Sequence, residues 1–169
     1  RTLDDGRLVV GGNFTTIGGG ARHGVAMLSA DGVVDPSFAD PGIAGGVSSL
    51  AVDADGSIVA VGSFRQVDGA AQSGLVRLDA HGGRLPSLVA PTLGGMAPLL
   101  ERVAVLPDHR LAVSGRFTSV DGVPRTGFAV LASTGEVDES VADLDFPSDH
   151  GIHALHVDTA GRLLVTGWF

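Results

Sequence analysis

Cysteine, tyrosine and lysine are missing from these 169 residues, and tryptophan occurs once. Zero cysteine removes any disulfide framework, and fits a reducing cytoplasm as well as a bacterial exported protein that avoids disulfides. Without lysine, all 11 strong bases are arginine, set against 19 acids for a formal net charge of −8. A negative surface repels phosphate backbones, which argues against nucleic-acid binding and against polybasic attachment to membranes. No apolar run approaches the roughly 20 residues that span a bilayer, so direct membrane insertion is not expected. Convincing helical stripes are also missing, because 26 glycines break the chain into pieces too short for helix pairs. Arginine-only basicity with abundant Ala, Gly and Val points to a GC-rich bacterial genome.

What the chain does have is a repeat. Gly12-Asn13-Phe14 returns as Gly62-Ser63-Phe64, Gly115-Arg116-Phe117 and Gly167-Trp168-Phe169, with the phenylalanines 50, 53 and 52 residues apart. A period of about fifty residues belongs to repeat architectures, above all to β-propeller blades. Each copy holds the same parts in order. An apolar run (47–52, 100–105, 152–157) leads to a turn at Asp55-Gly56, Asp108-His109 or Ala160-Gly161, with Asp5-Gly6 in the first copy. Asp-Gly between apolar runs is a hairpin signal, since glycine supplies the positive φ of tight turns. A second run (8–14, 58–64, 111–117, 163–169) and a third (25–28, 75–78, 128–131) follow, and a weak fourth segment is clearest at Val34-Asp35-Pro36-Ser37-Phe38.

Four β-rich runs per period predict an all-β protein of propeller blades, each a four-stranded antiparallel sheet. The copies run 1–46, 47–99, 100–151 and 152–169 within a single partial propeller spanning 1–169. Alternation in the second run puts small or apolar residues on both faces, as in an inner strand covered by neighbouring sheets. Glycine there weakens a strand unless it permits close approach, so positions 12, 62, 115 and 167 are expected where adjacent sheets nearly touch, with the phenylalanine filling the space between blades.

These parts resemble the delta-60 repeat, a bacterial β-propeller repeat of unknown function. The first copy carries the likeness almost throughout, in Asp5-Gly6-Arg7-Leu8-Val9-Val10-Gly11-Gly12-Asn13-Phe14-Thr15, Gly24-Val25-Ala26-Met27-Leu28 and Asp31-Gly32-Val33-Val34-Asp35-Pro36-Ser37-Phe38. In the third, Gly115-Arg116-Phe117-Thr118-Ser119-Val120-Asp121-Gly122-Val123 and Arg125-Thr126-Gly127-Phe128-Ala129 carry it. The second copy departs at Gly82-Gly83-Arg84-Leu85-Pro86-Ser87-Leu88, which lacks the aspartate and the phenylalanine, and its outer strand is the weakest expectation. The resemblance implies a part of a large exported or surface-attached bacterial protein, and brings no catalytic residues with it.

Length varies in one place only. The anchor phenylalanine and the glycine before the third run are always ten residues apart, whereas that glycine and the next first run are 23, 26 and 25 apart. The variable stretch holds the outer strand and the crossing to the next blade. In propellers that crossing and the link after the second strand open on one rim, where loops on a rigid scaffold carry function. Rim candidates for binding are therefore Arg22, His23, Arg65, Asp68, Asp121 and Arg125 in the links, with Asp143, Asp145, Asp149 and His150 in the last crossing. Such arginines and aspartates suit carboxylates, sugars or a partner's charged rim; solvated turns are the plainer account.

Other motifs lead nowhere. His153 and His156 fall on opposite faces of a strand and cannot share an ion. Asp53-Ala54-Asp55-Gly56 is a fragment of a calcium loop without its third ligand, so turn chemistry explains it better than calcium does. No nucleophile and base pair up. No cofactor is expected, and the chain is read as no enzyme. The leading function is a non-catalytic binding or scaffold module on an exported or surface-associated bacterial protein, holding a protein or glycan partner. The alternatives are a structural spacer, and a calcium-dependent lectin-like or enzymatic propeller. Because the chain starts and stops inside repeats, it reads as a segment of a longer protein, and further blades or self-association are expected to close its ring.

Overall fold

The computed structural model describes residues 1–144, 146 and 151–168, in which strands and turns are the only regular structure. Blades appear as antiparallel sheets in chain order. The second blade is Val47–Val52, Ile58–Gly62 and Leu75–Leu78; the third is Leu99–Val105, Leu111–Arg116 and Phe128–Leu131. In the first blade Leu8–Gly11 pairs with Val25–Leu28, and Thr2 bridges to Leu8 on the inner side. Ile152–Val157 and Leu163–Gly167 begin a fourth.

Each first hairpin closes as a type I turn followed by a left-handed residue. The Gly56 N–H donates to Asp53 O at 3.0 Å, the Asp53 N–H donates to Ser57 O at 2.8 Å, and Gly56 has φ +82°. That is the glycine the Asp-Gly signal requires, and His109 at φ +66° occupies the same place in the third blade.

The fourth segment is thinner than a full strand. One bridge joins it to the third strand in each complete blade, Leu28 to Val34, Leu78 to Arg84 and Leu131 to Val137. The chain turns away at once, because Asp35 and Asp138 accept from the N–H and hydroxyl of Ser37 and Ser140 and fold the next residues into a turn. Notably, the divergent second copy pairs in the same way as the others. Leu88 is buried where Phe38 is buried in the first blade, so an aliphatic side chain suffices there.

The core lies between blades rather than within one. Val9, Val25, Met27, Phe38 and Ile43 meet Ile58, Ala60, Phe64, Val76 and Leu78 of the second blade. Val59, Val61, Leu75 and Leu88, from its other face, meet Val113, Phe117, Val120 and Leu131 of the third. Phe64 and Phe117 do fill inter-blade space, as the repeat predicts. Their glycines act differently from expectation. A Cβ on Gly62 would lie 2.1 Å from Gly46 O, and one on Gly115 would lie 2.0 Å from Leu99 O. Those are backbone atoms of the same blade, where the innermost strand bulges between Val47 and Ser49 or between Leu100 and Arg102. The glycines therefore make room for the bulge. Close approach between sheets occurs one residue earlier, where a Cβ on Gly11 would meet Leu50 and Val47 at 2.8 and 2.9 Å.

The ten-residue links are small hairpins: Thr16–Ile17 with Gly20–Ala21, Gln66–Val67 with Ala70–Ala71, and Ser119–Val120 with Val123–Pro124. Their turns are Gly18-Gly19, Asp68-Gly69 and Asp121-Gly122, all with positive φ, as type I′ geometry demands. Crossing segments add to these hairpins from the preceding blade. Ala44 bridges to Gln66, and Leu93–Gly94 pairs with Ser119–Val120. A hairpin register fixes its length, which is why the links never vary.

Candidate functional site

In the first blade the crossing segment is clamped shut. Asp40 Oδ1 accepts from the His23 N–H at 2.8 Å, and its Oδ2 lies 2.6 Å from His23 Nδ1. Burial pushes the Asp40 carboxyl upward, but hydrogen bonds from His23 and from the Gly42 N–H outweigh it and hold the group below its ordinary value. Ile43 is buried over Gly24 as a result. The third blade repeats the clamp, with the Thr126 N–H donating to Asp143 Oδ1 at 3.2 Å. At the corresponding position the second blade has Ala90, which offers no acceptor.

A cavity of about 900 Å³ opens there. Its floor is the end of the second strand, Gly62-Ser63-Phe64-Arg65, and the link 71–74. Arg84, Pro86 and Leu88 of the fourth segment form one wall, the crossing 89–93 and 97–100 the other, and Arg116 of the third blade the far end. The fixed link and the variable crossing, the two rim segments expected from the sequence, thus meet at one site, and the longest crossing belongs to it. Between the left-handed glycine of the crossing and Val47 the first blade has only Gly46, whereas the second has Met96 to Leu99 before Leu100, the counterpart of Val47. Met96 is 96% exposed, and Ala97 takes φ +51°.

Three arginines line the cavity, and each departs from the repeat. Arg65 stands where the other copies have Thr15 and Thr118, Arg84 where they have Val34 and Val137, and Arg116 where they have Asn13 and Ser63. Arg84 Nη2 donates to Gln72 Oε1 at 2.8 Å, and Gln72 Nε2 donates to Leu75 O at 2.6 Å. Gln72 is itself a departure, replacing Arg22 and Arg125, and it is 7% exposed. Arg116 Nε lies 3.2 Å from Oε1 of Glu101, the residue that the third-blade bulge leaves over. Arg65 has no side-chain partner among the described residues.

The rim candidates divide sharply. Arg65 alone faces this cavity. Asp68 and Asp121 are hairpin-turn residues with φ +50°, and Asp121 Oδ1 also accepts from the Thr92 N–H at 2.8 Å, tying the crossing down. Arg125 is buried, its guanidinium donating to the carbonyls of Pro124 and Val141. Arg22 Nη1 donates to Ala21 O, while its Nε is buried without a partner. His23 and Asp143 belong to the clamps. Asp145, Asp149 and His150 lie outside the described residues. Arg84, Arg116 and Gln72 were not found from the sequence; setting the copies against one another for departures rather than recurrences would have found them.

The same blade boundary buries a charge. Arg77 takes the place of Met27 and Val130 on the third strand and is 6% exposed. Its Nη1 donates to Asp53 Oδ2 at 2.6 Å and to Ser57 Oγ at 2.9 Å, leaving Nε and Nη2 buried without partners. His109 Nδ1, from the third blade, lies 2.8 Å from Asp53 Oδ1. Asp53 thus holds Arg77 of its own blade and His109 across the boundary. Among the described residues no three His, Cys, Asp or Glu side chains gather as a metal site, and no helix is long and apolar enough to cross a membrane.

A family model described as "Domain of unknown function (DUF5122) beta-propeller" matches residues 3–38 and 54–83. A solved structure of a protein of unknown function from Bacteroides caccae aligns with 94% of this chain and 49% of its own, at 14% identity and a TM-score of 0.49. This chain therefore spans about half the length of that protein (49%). No curated protein matches. With the sheets described above, the family match establishes the fold as β-propeller blades built of antiparallel sheets.

Proposed function

We propose that the chain is a non-catalytic binding module of an exported or surface-associated bacterial protein, built from repeats of the delta-60 type. Its partner, a protein or a glycan, binds in the cleft between the second and third blades. One observation carries this reading: the departures from the repeat that do not serve packing converge on that cleft. Ala90 omits the clamp, the crossing gains three residues, and Arg65, Arg84 and Arg116 bring charge where the other copies are neutral. A spacer needs none of these, and they lie at the rim where a rigid scaffold presents its loops.

The test is a melting screen of the protein against peptides, glycans, calcium and a chelator. A ligand at about 100 times its Kd stabilises the folded state by about 2.7 kcal/mol. We expect one ligand class to raise Tm, with the rise lost in Arg84→Ala and Arg65→Ala and kept in Thr15→Ala, the first blade's counterpart of Arg65. A flat panel would support a spacer, and a shift that survives Arg84→Ala would put the site elsewhere. A calcium-dependent shift reversed by chelator would favour a lectin-like module.

A further inference from the structure

We infer that the ligand of this cleft is an acidic peptide segment, an Asp or Glu side chain flanked by aliphatic ones; this rests on the cleft being the binding site. The charge pattern is the first reason. The chain carries a formal charge of −8, yet no carboxylate lines the cavity and three guanidinium groups do. Glu101 meets Arg116 through Nε and leaves its terminal nitrogens without an ion pair among the described residues. Arg84 is held by a buried relay through Gln72 to the Leu75 carbonyl, which uses one of its five N–H donors and orients the rest. An arginine fork held in place matches the two oxygens of a carboxylate.

The remaining wall decides between a peptide and a sugar. Pro86, Leu88, Val89, Pro91, Leu93 and Pro98 dominate it, with the hydroxyls of Ser63, Ser73 and Thr92 as its small polar groups. Most of a sugar's hydroxyls, buried against prolines and aliphatic side chains, would lose water without gaining partners, which is unfavourable. The only amide side chain in the lining, Gln72, is engaged at both ends, and no Trp or Tyr offers a platform for a ring. Aliphatic side chains next to a carboxylate, by contrast, fit both surfaces. Met96, exposed next to the lining residue Ala97, adds an adaptable apolar side chain of the kind that peptide-binding surfaces favour.

The experiment is fluorescence polarisation with a labelled peptide of Leu, Glu, Val and Asp, its Gln and Asn counterpart, and a labelled oligogalacturonate. We expect the acidic peptide to bind and its amide counterpart to bind at least about tenfold more weakly, which is about 1.4 kcal/mol. Affinity should fall as salt rises from about 50 mM to about 500 mM, since exposed charges are screened. Arg84→Ala and Arg116→Ala should each weaken binding about tenfold, and Arg84→Lys should recover only part, because the point charge lacks the fork. Equal binding of the amide peptide would overturn the carboxylate and leave the cleft standing. Oligogalacturonate bound in the cleft in place of the peptide would overturn the peptide. Acidic-peptide binding untouched by either Ala variant, or no binding of any probe, would overturn the inference, the first by moving the site and the second by removing it.

Discussion

The boundary between the first and second blades and that between the second and third use one plan to different ends. At the first, the crossing is clamped by Asp40, Ile43 is buried, and the filling is apolar throughout. At the second, the clamp is gone, a cavity of about 900 Å³ lies open at the rim, and Asp53 and Arg77 are buried deeper in the sheets. The ion pairs have moved as well. Arg7 and Arg110 reach Asp35 and Asp138 on the outer segments of the first and third blades, whereas Ser57 and Leu85 stand at those positions in the second. Among the described residues its Arg–Asp pair, Arg77 with Asp53, sits inside instead. A propeller repeat thus tolerates change wherever the inter-blade packing is kept, and changes that serve no packing mark the places where the blades do something else.

The largest effect should come from stranding the buried charge. Asp53→Ala leaves Arg77 buried and unpaired and should cost about 3–5 kcal/mol in denaturant melts. The double change Asp53→Leu with Arg77→Met copies the first boundary, where Leu3 and Met27 stand, and should be neutral or stabilising. If the double variant is as unstable as the single, the two boundaries are not equivalent in packing. Next, Gly115→Ala sets a Cβ against Leu99 O and should cost about 3 kcal/mol, whereas Gly12→Ala meets only the Phe14 ring at 3.2 Å and should change the Tm little.

Smaller in size is Ala90→Asp, which gives the second blade the acceptor of its neighbours. It should stabilise by about 1 kcal/mol and block the cleft, read as a higher Tm and lost peptide binding. The smallest effect concerns Asp138, whose carboxyl is pulled down to about 2 by the Ser140 hydroxyl first and by Arg110 second. A lowered carboxylate stabilises the fold above its unfolded value, near 4, and that contribution is lost as pH falls through about 2. Ser140→Ala should move the titration upward by NMR, so that the loss begins at higher pH.

The blades were legible because their strands obey simple alternation with both faces covered. Val25–Leu28, Val47–Val52, Leu75–Leu78, Phe128–Leu131 and Ile152–Val157 lie where the apolar runs place them. The second strands end before their phenylalanines, at Gly11, Gly62 and Arg116, since the chain is already turning into the rim hairpin. Those hairpins were read as loops, because strands of two residues leave no periodic trace. The site was nearly illegible for the opposite reason. Asp68 and Asp121 recur because a type I′ turn needs residues that tolerate the left-handed region, so recurrence pointed to turns. Arg84 lay in the stretch read as a weak outer strand, where its charge looked like decay of the pattern rather than the wall of a cleft.

Leu93–Gly94 belongs to one blade by covalent sequence and to the next by hydrogen bonding. Backbone continuity and mechanical continuity are therefore offset, each unit being stitched into its successor before the chain arrives there. A single proteolytic cut at the exposed Met96 would fall between two segments that are each already anchored in the third blade, Leu93–Gly94 to its rim hairpin and Leu99–Val105 to its sheet. The nicked halves should stay together through gel filtration and part only on denaturation, as though the molecule were woven rather than strung.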